Sequence, residues 1–166
     1  MKYQKILEHK QYQDYLGKLN QLEQNRIYCK HDLNHLLDVA RICTILAQEQ
    51  GITIDKNIVY AASLLHDIGR FNPSVAKHEQ LSGEIALRVL PECDYSDDEI
   101  AQVIDLIHSH RGRDSVEHIR EMRLEKQLDL KDCFRLADQL SRNCFCCQAS
   151  DTCKWKVEER NQVVLV

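Results

Sequence analysis

Apolar residues along this chain recur at intervals of three and four, and stretches of strand-like alternation are hard to find. Tyr3, Ile6, Leu7, Tyr12, Tyr15, Leu16, Leu19 and Leu22 predict one helix or two short ones over residues 2 to about 24, with a break at Gly17. Asp32 is placed to cap a helix through His35, Leu36, Val39, Ile42, Cys43, Leu46 and Ala47 that ends at Gly51. Asp55 starts the next, from Ile58 to Leu65, and Asn72-Pro73 predicts a turn. A further helix covers about Gln80 to Leu90 and stops at Pro91. Ser96 with Glu99 three residues on is a capping-box start for Ile100 to His108. His110 to Arg113 reads as a loop, and residues 115 to 128 are helical by propensity but strongly charged. Asp132 opens a last helix to about Asn143, and the tail after Trp155 is a short helix or an extended arm. The expected fold is all-α. No repeat or linker interrupts it, so a single domain over residues 1–166 is expected.

Composition narrows this picture. The 166 residues suit one domain with a good core. A net charge of -4 carries no strong nucleic-acid signal, although it leaves room for a local basic pocket. Met1-Lys2-Tyr3-Gln4-Lys5 is not followed by an apolar leader core, and no run approaches a membrane span, so a cytoplasmic protein without membrane contact is expected.

The candidate chemistry centres on Ala61-Ala62-Ser63-Leu64-Leu65-His66-Asp67-Ile68-Gly69-Arg70. Imidazole and carboxylate are both good ligands for a divalent transition metal. Neighbours on a helix point ~100° apart, so convergence on one ion requires a helix end. Here Gly69, in a left-handed cap, is expected to supply that end. His31 and His35 lie four apart, and His35 shares its face with Leu36 and Val39. Asp138 sits among Leu136, Ala137 and Leu140, where a buried carboxylate needs a partner. Taken singly, each has an ordinary reading as a capping or core residue; it is their coincidence that points to metal.

His35, His66-Asp67 and Asp138 resemble the H…HD…D signature of the HD-domain metal-dependent phosphohydrolases, within "HLLDVAR", "AASLLHDIGR" and "LADQLSR". The resemblance runs from about residue 29 to 147. It implies a helical bundle of five or more helices and a divalent metal (Mn, Fe, Co, Ni or Zn, with Mg also compatible) on His35, His66, Asp67 and Asp138. It also implies hydrolysis of a small phosphorylated substrate, a nucleotide first. Asp67 is then the residue that bridges metals or orients the water. Arg70 is the first candidate for a phosphate contact, followed by Lys77, Arg111, Arg113 and Arg142. "HEQLSGEIAL" and "IHSHRG" are similar to the binuclear branches of the family, which makes His78 and His110 candidate ligands of a second ion. His108, two residues from His110, faces elsewhere on a regular helix. The Gly-Tyr-Pro loop of the HD-GYP group is missing, which speaks against cyclic di-GMP. The acidic residues of the 5'-deoxynucleotidase branch cannot be placed.

Two rival readings accompany the hydrolase: a non-catalytic HD module that binds a nucleotide or metal, and a di-iron HD oxygenase. A homodimer is compatible with the pattern. Of the eight cysteines, Cys29, Cys43, Cys93 and Cys133 read as small buried hydrophobes. Cys144, Cys146, Cys147 and Cys153 read first as thiols packed around Trp155 and Phe145. The alternatives are a structural zinc on Cys144, Cys147 and Cys153, with Cys146 or something distant as fourth ligand, and a redox pair.

Overall fold

Four helix starts are capped by the side chain that precedes them, and these caps set much of the chain's path. Asp32 accepts from the His35 N–H, Asp55 from Asn57, Ser96 from Glu99 and Asp129 from Asp132. The computed structural model describes residues 1–111 and 116–164. Its helices are α1 (Lys2–Glu8), α2 (Lys10–Glu23), α3 (Leu33–Glu49), α4 (Lys56–His66), α5 (His78–Val89), α6 (Asp97–Ser109), α7 (Val116–Leu124) and α8 (Leu130–Leu140). Among the described residues there is no strand, so the all-α expectation holds. No helix is long and apolar enough to cross a membrane.

Helix α4 is the axis. Every residue from Ala61 to Ile68 is buried, polar ones included. A helix apolar on nearly all sides belongs in the middle of a bundle, and α4 packs against α3, α6, α5 and α1, while α8 closes on α3. Alanines and a serine at 61–63 leave room for these neighbours. The Ser63 hydroxyl donates to the Leu36 carbonyl of α3, and the buried Tyr12 hydroxyl donates to the Leu64 carbonyl at 3.2 Å. These two bonds anchor the axis to α3 and α2.

Several local expectations are corrected. The break in the N-terminal helical stretch falls at His9, whose extended backbone (ψ 122°) separates α1 from α2. Gly17 lies inside α2, exposed to solvent, where a glycine weakens the helix without ending it. The last long helix starts after Asp129, with Asp132 as the third residue of its capping box. It ends at Leu140, short of Asn143. The charged stretch from 115 contains α7, and the tail after Trp155 has a 3-10 turn at Val157–Glu159. The expected loop at 110–113 runs beyond the described residues, and Arg113 lies outside them. Cys43, Cys93 and Cys133 are buried as expected, but Cys29 is only partly so.

Gly69 also serves a different purpose from the one expected. The chain leaves α4 at Asp67 (φ -107°, ψ 2°) and runs into a 3-10 turn over Ile68–Phe71. Among the described glycines only Gly51 has positive φ. What position 69 requires is space: a Cβ there would meet the His78 carbonyl oxygen at 2.4 Å and the Ser82 nitrogen at 3.0 Å. Its N–H donates to Ser82 Oγ at 3.0 Å, which clamps the turn onto α5.

Gly69→Ala is therefore expected to cost about 1–3 kcal/mol by overpacking against backbone. Gly17→Ala, where a Cβ meets nothing within 4 Å, should gain roughly 0.5–1 kcal/mol. Urea midpoints of the two variants should move in opposite directions, and a stable Gly69→Ala would refute the close approach.

Candidate metal centre

The end of α4 delivers His66 and Asp67 into the middle of the bundle, and three other helices bring histidine or carboxylate to meet them. His35 comes from the first turn of α3 and Asp138 from the last turns of α8. His78 opens α5, and His110 caps the C-terminus of α6. Asp67 is fully buried and uses its two oxygens differently. Oδ2 lies 3.7 Å from His35 Nε2 and 3.6 Å from His66 Nε2, while Asp138 Oδ1 lies 3.4 and 3.8 Å from the same two nitrogens. Oδ1 lies 2.9 Å from His78 Nε2 and 3.7 Å from His110 Nε2, and these two nitrogens are 3.2 Å apart. The result is two ligand groups, His35–His66–Asp67–Asp138 and Asp67–His78–His110, that share one carboxylate.

The outer nitrogens of three of these rings are already engaged. His66 Nδ1 donates to the Ser63 carbonyl at 2.7 Å, and His110 Nδ1 to the Ile107 carbonyl at 2.5 Å. His35 Nδ1 meets Ser141 Oγ at 3.0 Å; that hydroxyl donates to the Asp138 carbonyl at 2.7 Å, so it accepts from the ring. With the proton held on Nδ1, each Nε2 presents its lone pair to the centre, the arrangement that metal-ligating histidines use. The inner atoms have no such partners: the buried Nε2 of His35 and of His66 and Oδ1 of Asp67 make no hydrogen bond. Orphaned buried acceptors are costly. A divalent cation fits this donor set of imidazole nitrogens and carboxylate oxygens.

The electrostatics agree. Burial alone would raise the Asp67 carboxyl, but the surrounding imidazoles, His66 first and then His35 and His78, together with the Arg70 guanidinium overcome it and hold it well below the usual range. Asp138 is likewise lowered, chiefly by His66 against its own burial. The His110 imidazole is pushed down to about 4 by burial and by the neighbouring His66, which keeps it neutral near pH 7.

Above the centre opens a cleft of about 800 Å³. Among the described residues it is lined by eight cationic side chains against three carboxylates, on a chain of net charge -4. Arg70, Arg111 and Arg142 stand in it, as does Asp138; Lys77 is exposed at the start of α5 and does not line it. Arg70 Nε is 2.7 Å from Asp67 Oδ1. Arg142 stacks on Trp155 at 4.7 Å. His108 is exposed, with its ring against Gly83. Not anticipated from sequence were Arg26, Lys30 and Arg135, nor Lys154, Trp155 and Lys156 from the tail. All but Arg135, which lies on α8, come from segments outside the helices, and no local signal marks them. His31, weighed beside His35, sits at the rim with Nε2 3.6 Å from Asp67 Oδ2 and its other ring nitrogen on Glu23.

Comparison with known proteins agrees with this architecture. The HD domain family pattern matches residues 32–143. The chain belongs to the HD-domain family. It is 34% identical over 158 residues to an uncharacterized protein of Clostridium beijerinckii, covering 94% of this chain and 93% of that one. It is also similar to ribonuclease Y of Pseudothermotoga lettingae (30% over 96 residues, 57% of this chain) and ribonuclease Y 1 of Pediococcus pentosaceus (31% over 103 residues, 61% of this chain). The aligned stretches cover only 17% and 18% of those two enzymes. No solved structure matches the chain.

Because both ligand groups run through Asp67, Asp67→Ala should empty the whole centre, whereas His78→Ala should remove one ion and spare the other. Elemental analysis after reconstitution checks this. Unchanged stoichiometry in His78→Ala would reject the second group.

Proposed function

We propose that the protein is a metal-dependent phosphohydrolase acting on a nucleotide or another small phosphate ester. The observation that carries this reading is the shared carboxylate of Asp67, between two ligand groups, at the floor of a cationic cleft. When bound, divalent ions supply an acidified water and polarise a phosphoryl oxygen. His35, His66, Asp67 and Asp138 are the residues to hold one ion, and Asp67, His78 and His110 a second, in the Mn, Fe, Co, Ni, Zn or Mg group.

The rest is the work of side chains. Phosphoryl transfer is mostly positioning and charge stabilisation, so it needs cations around the equatorial oxygens. Arg70 is tethered at Asp67 and borders the cleft, which suits it to both orienting that carboxylate and binding phosphate. Arg142 is held by bonds to the Gln139 and Glu159 carbonyls and by Trp155, so its guanidinium is ordered in advance of substrate. Arg111, Lys154 and Lys156 add charge to the cleft wall. The cleft's volume falls in the range for small-molecule sites, which favours a nucleotide over a polymer. The likeness to two ribonucleases favours a second reading, cleavage of a phosphodiester in a short RNA.

A screen of nucleotides, a generic phosphodiester and short single-stranded RNA with Mn, Co, Ni, Mg and Fe tests the proposal. Turnover is expected with at least one nucleotide, abolished in Asp67→Ala. Metal and nucleotide binding without turnover would make the chain a binding module, and oxygen consumption by the iron form would make it an oxygenase. Lys156→Ala is expected to raise KM by about tenfold at unchanged kcat, the ~1.4 kcal/mol of one charge-assisted hydrogen bond.

A further inference from the structure

The tail that walls the cleft is ordered by very little apolar burial. Between Cys144 and Glu159 it forms three 3-10 turns, Cys144–Cys146, Ser150–Thr152 and Val157–Glu159, none with a buried residue. Phe145 is exposed, so the thiols do not pack around it. A segment so poor in core residues needs another tie, and metals commonly provide one.

Cys29 supplies what the tail's own cysteines lack. It precedes α3 and is more than a hundred residues away in sequence, yet it lines one cavity of about 300 Å³ with Cys144, Cys147 and Cys153. Both strands of this contact are fixed. The Tyr28 hydroxyl donates to the Thr152 carbonyl at 3.1 Å, pinning the residues just before Cys29 and Cys153 together. Arg160 donates to the Ser150, Cys153 and Trp155 carbonyls at 2.9, 3.2 and 2.8 Å and so shapes the loop that presents Cys153. Arg26, Lys154 and Arg160 also line the cavity, positive charge suited to an anionic thiolate centre. Cys146 does not line it; it is exposed, with its thiol toward the Asn143 carbonyl.

No three of the described cysteine sulfurs stand as close together as a single ion would draw them. Four thiolates on one zinc at 2.3 Å stand ~3.8 Å apart, the edge of the tetrahedron. Among the described residues, the groups with three or more ligand atoms within 4.8 Å of one another are the two histidine–aspartate sets, and the cysteines do not form one. A cluster of several irons spreads its four cysteines more widely than a single ion does. We infer that Cys29, Cys144, Cys147 and Cys153 form a four-thiolate site for an iron–sulfur cluster, which ties the segment before α3 to the tail and holds Lys154, Trp155 and Lys156 at the cleft.

Anaerobic purification of the full chain, followed by reconstitution with iron and sulfide, tests this with a readout the histidine–aspartate centre cannot give, acid-labile sulfide, read beside the visible absorption of a sulfide-bridged cluster. Wild type is expected to carry both. Cys29→Ser and Cys153→Ser should lose them while far-ultraviolet dichroism keeps its helical signal. Cys146→Ser should keep them, and Asp67→Ala should keep them while losing its own metal. A colourless, sulfide-free wild type after reconstitution would overturn the inference, whatever the variants do. So would one equivalent of zinc that disappears with Cys29→Ser, or a cluster that survives that substitution.

Discussion

The constraint on which the rest depends is the burial of a single carboxylate. Asp67 is 1% exposed, in the interior of a helical bundle, where an unpaired charge is not tolerated. Its two oxygens face two sets of histidines, and Arg70 leans on it from the rim. Replacing those partners one at a time would strand the charge, which costs more than the net worth of any single contact. The neighbourhood therefore behaves as a unit. Ser141 orients His35, the Ser63 and Ile107 carbonyls orient His66 and His110, and Ser82 holds the turn beyond Asp67.

This arrangement explains why α4 is the most buried helix. A candidate centre built from side chains at the starts of α3 and α5 and the ends of α4, α6 and α8 requires those termini to meet at one point. Helix ends are also where consecutive residues escape the regular 100° spacing. Small side chains at 61–63 let the neighbours approach, and Gly69 lets α5 come close enough for His78 to reach Oδ1. Packing and chemistry share the same residues.

The cleft above depends on different parts of the chain. Its floor is helical, whereas much of its cationic wall comes from the segment before α3 and from the tail after α8. Trp155 and Arg142 join tail to bundle, and Asn161 secures the far side by donating to the Gln139 and Arg142 carbonyls, both at 2.8 Å. The cysteine cavity lies beside this junction, sharing Arg26, Cys29, Lys154 and Trp155 with the cleft.

The sequence by itself determined most of the helices and the residues of the first candidate ligand group. Apolar periodicity and capping residues are local signals, so Asp32, Asp55 and Ser96 were legible as helix starts. His35, His66-Asp67 and Asp138 could be read because each sits within a recognisable helical context. Two boundaries were misplaced, at Gly17 for His9 and at Asp132 for Asp129, and in the second the reciprocal cap between Asp129 and Asp132 sets the start. Only the tertiary structure assigned each oxygen of Asp67 to its own ligand group, left Lys77 outside the cleft and brought Cys29 to the tail. The physical reason is distance along the chain. Side chains brought together by loop paths leave no periodic trace in either segment, and charge summed over 166 residues hides a cationic cleft on an acidic protein.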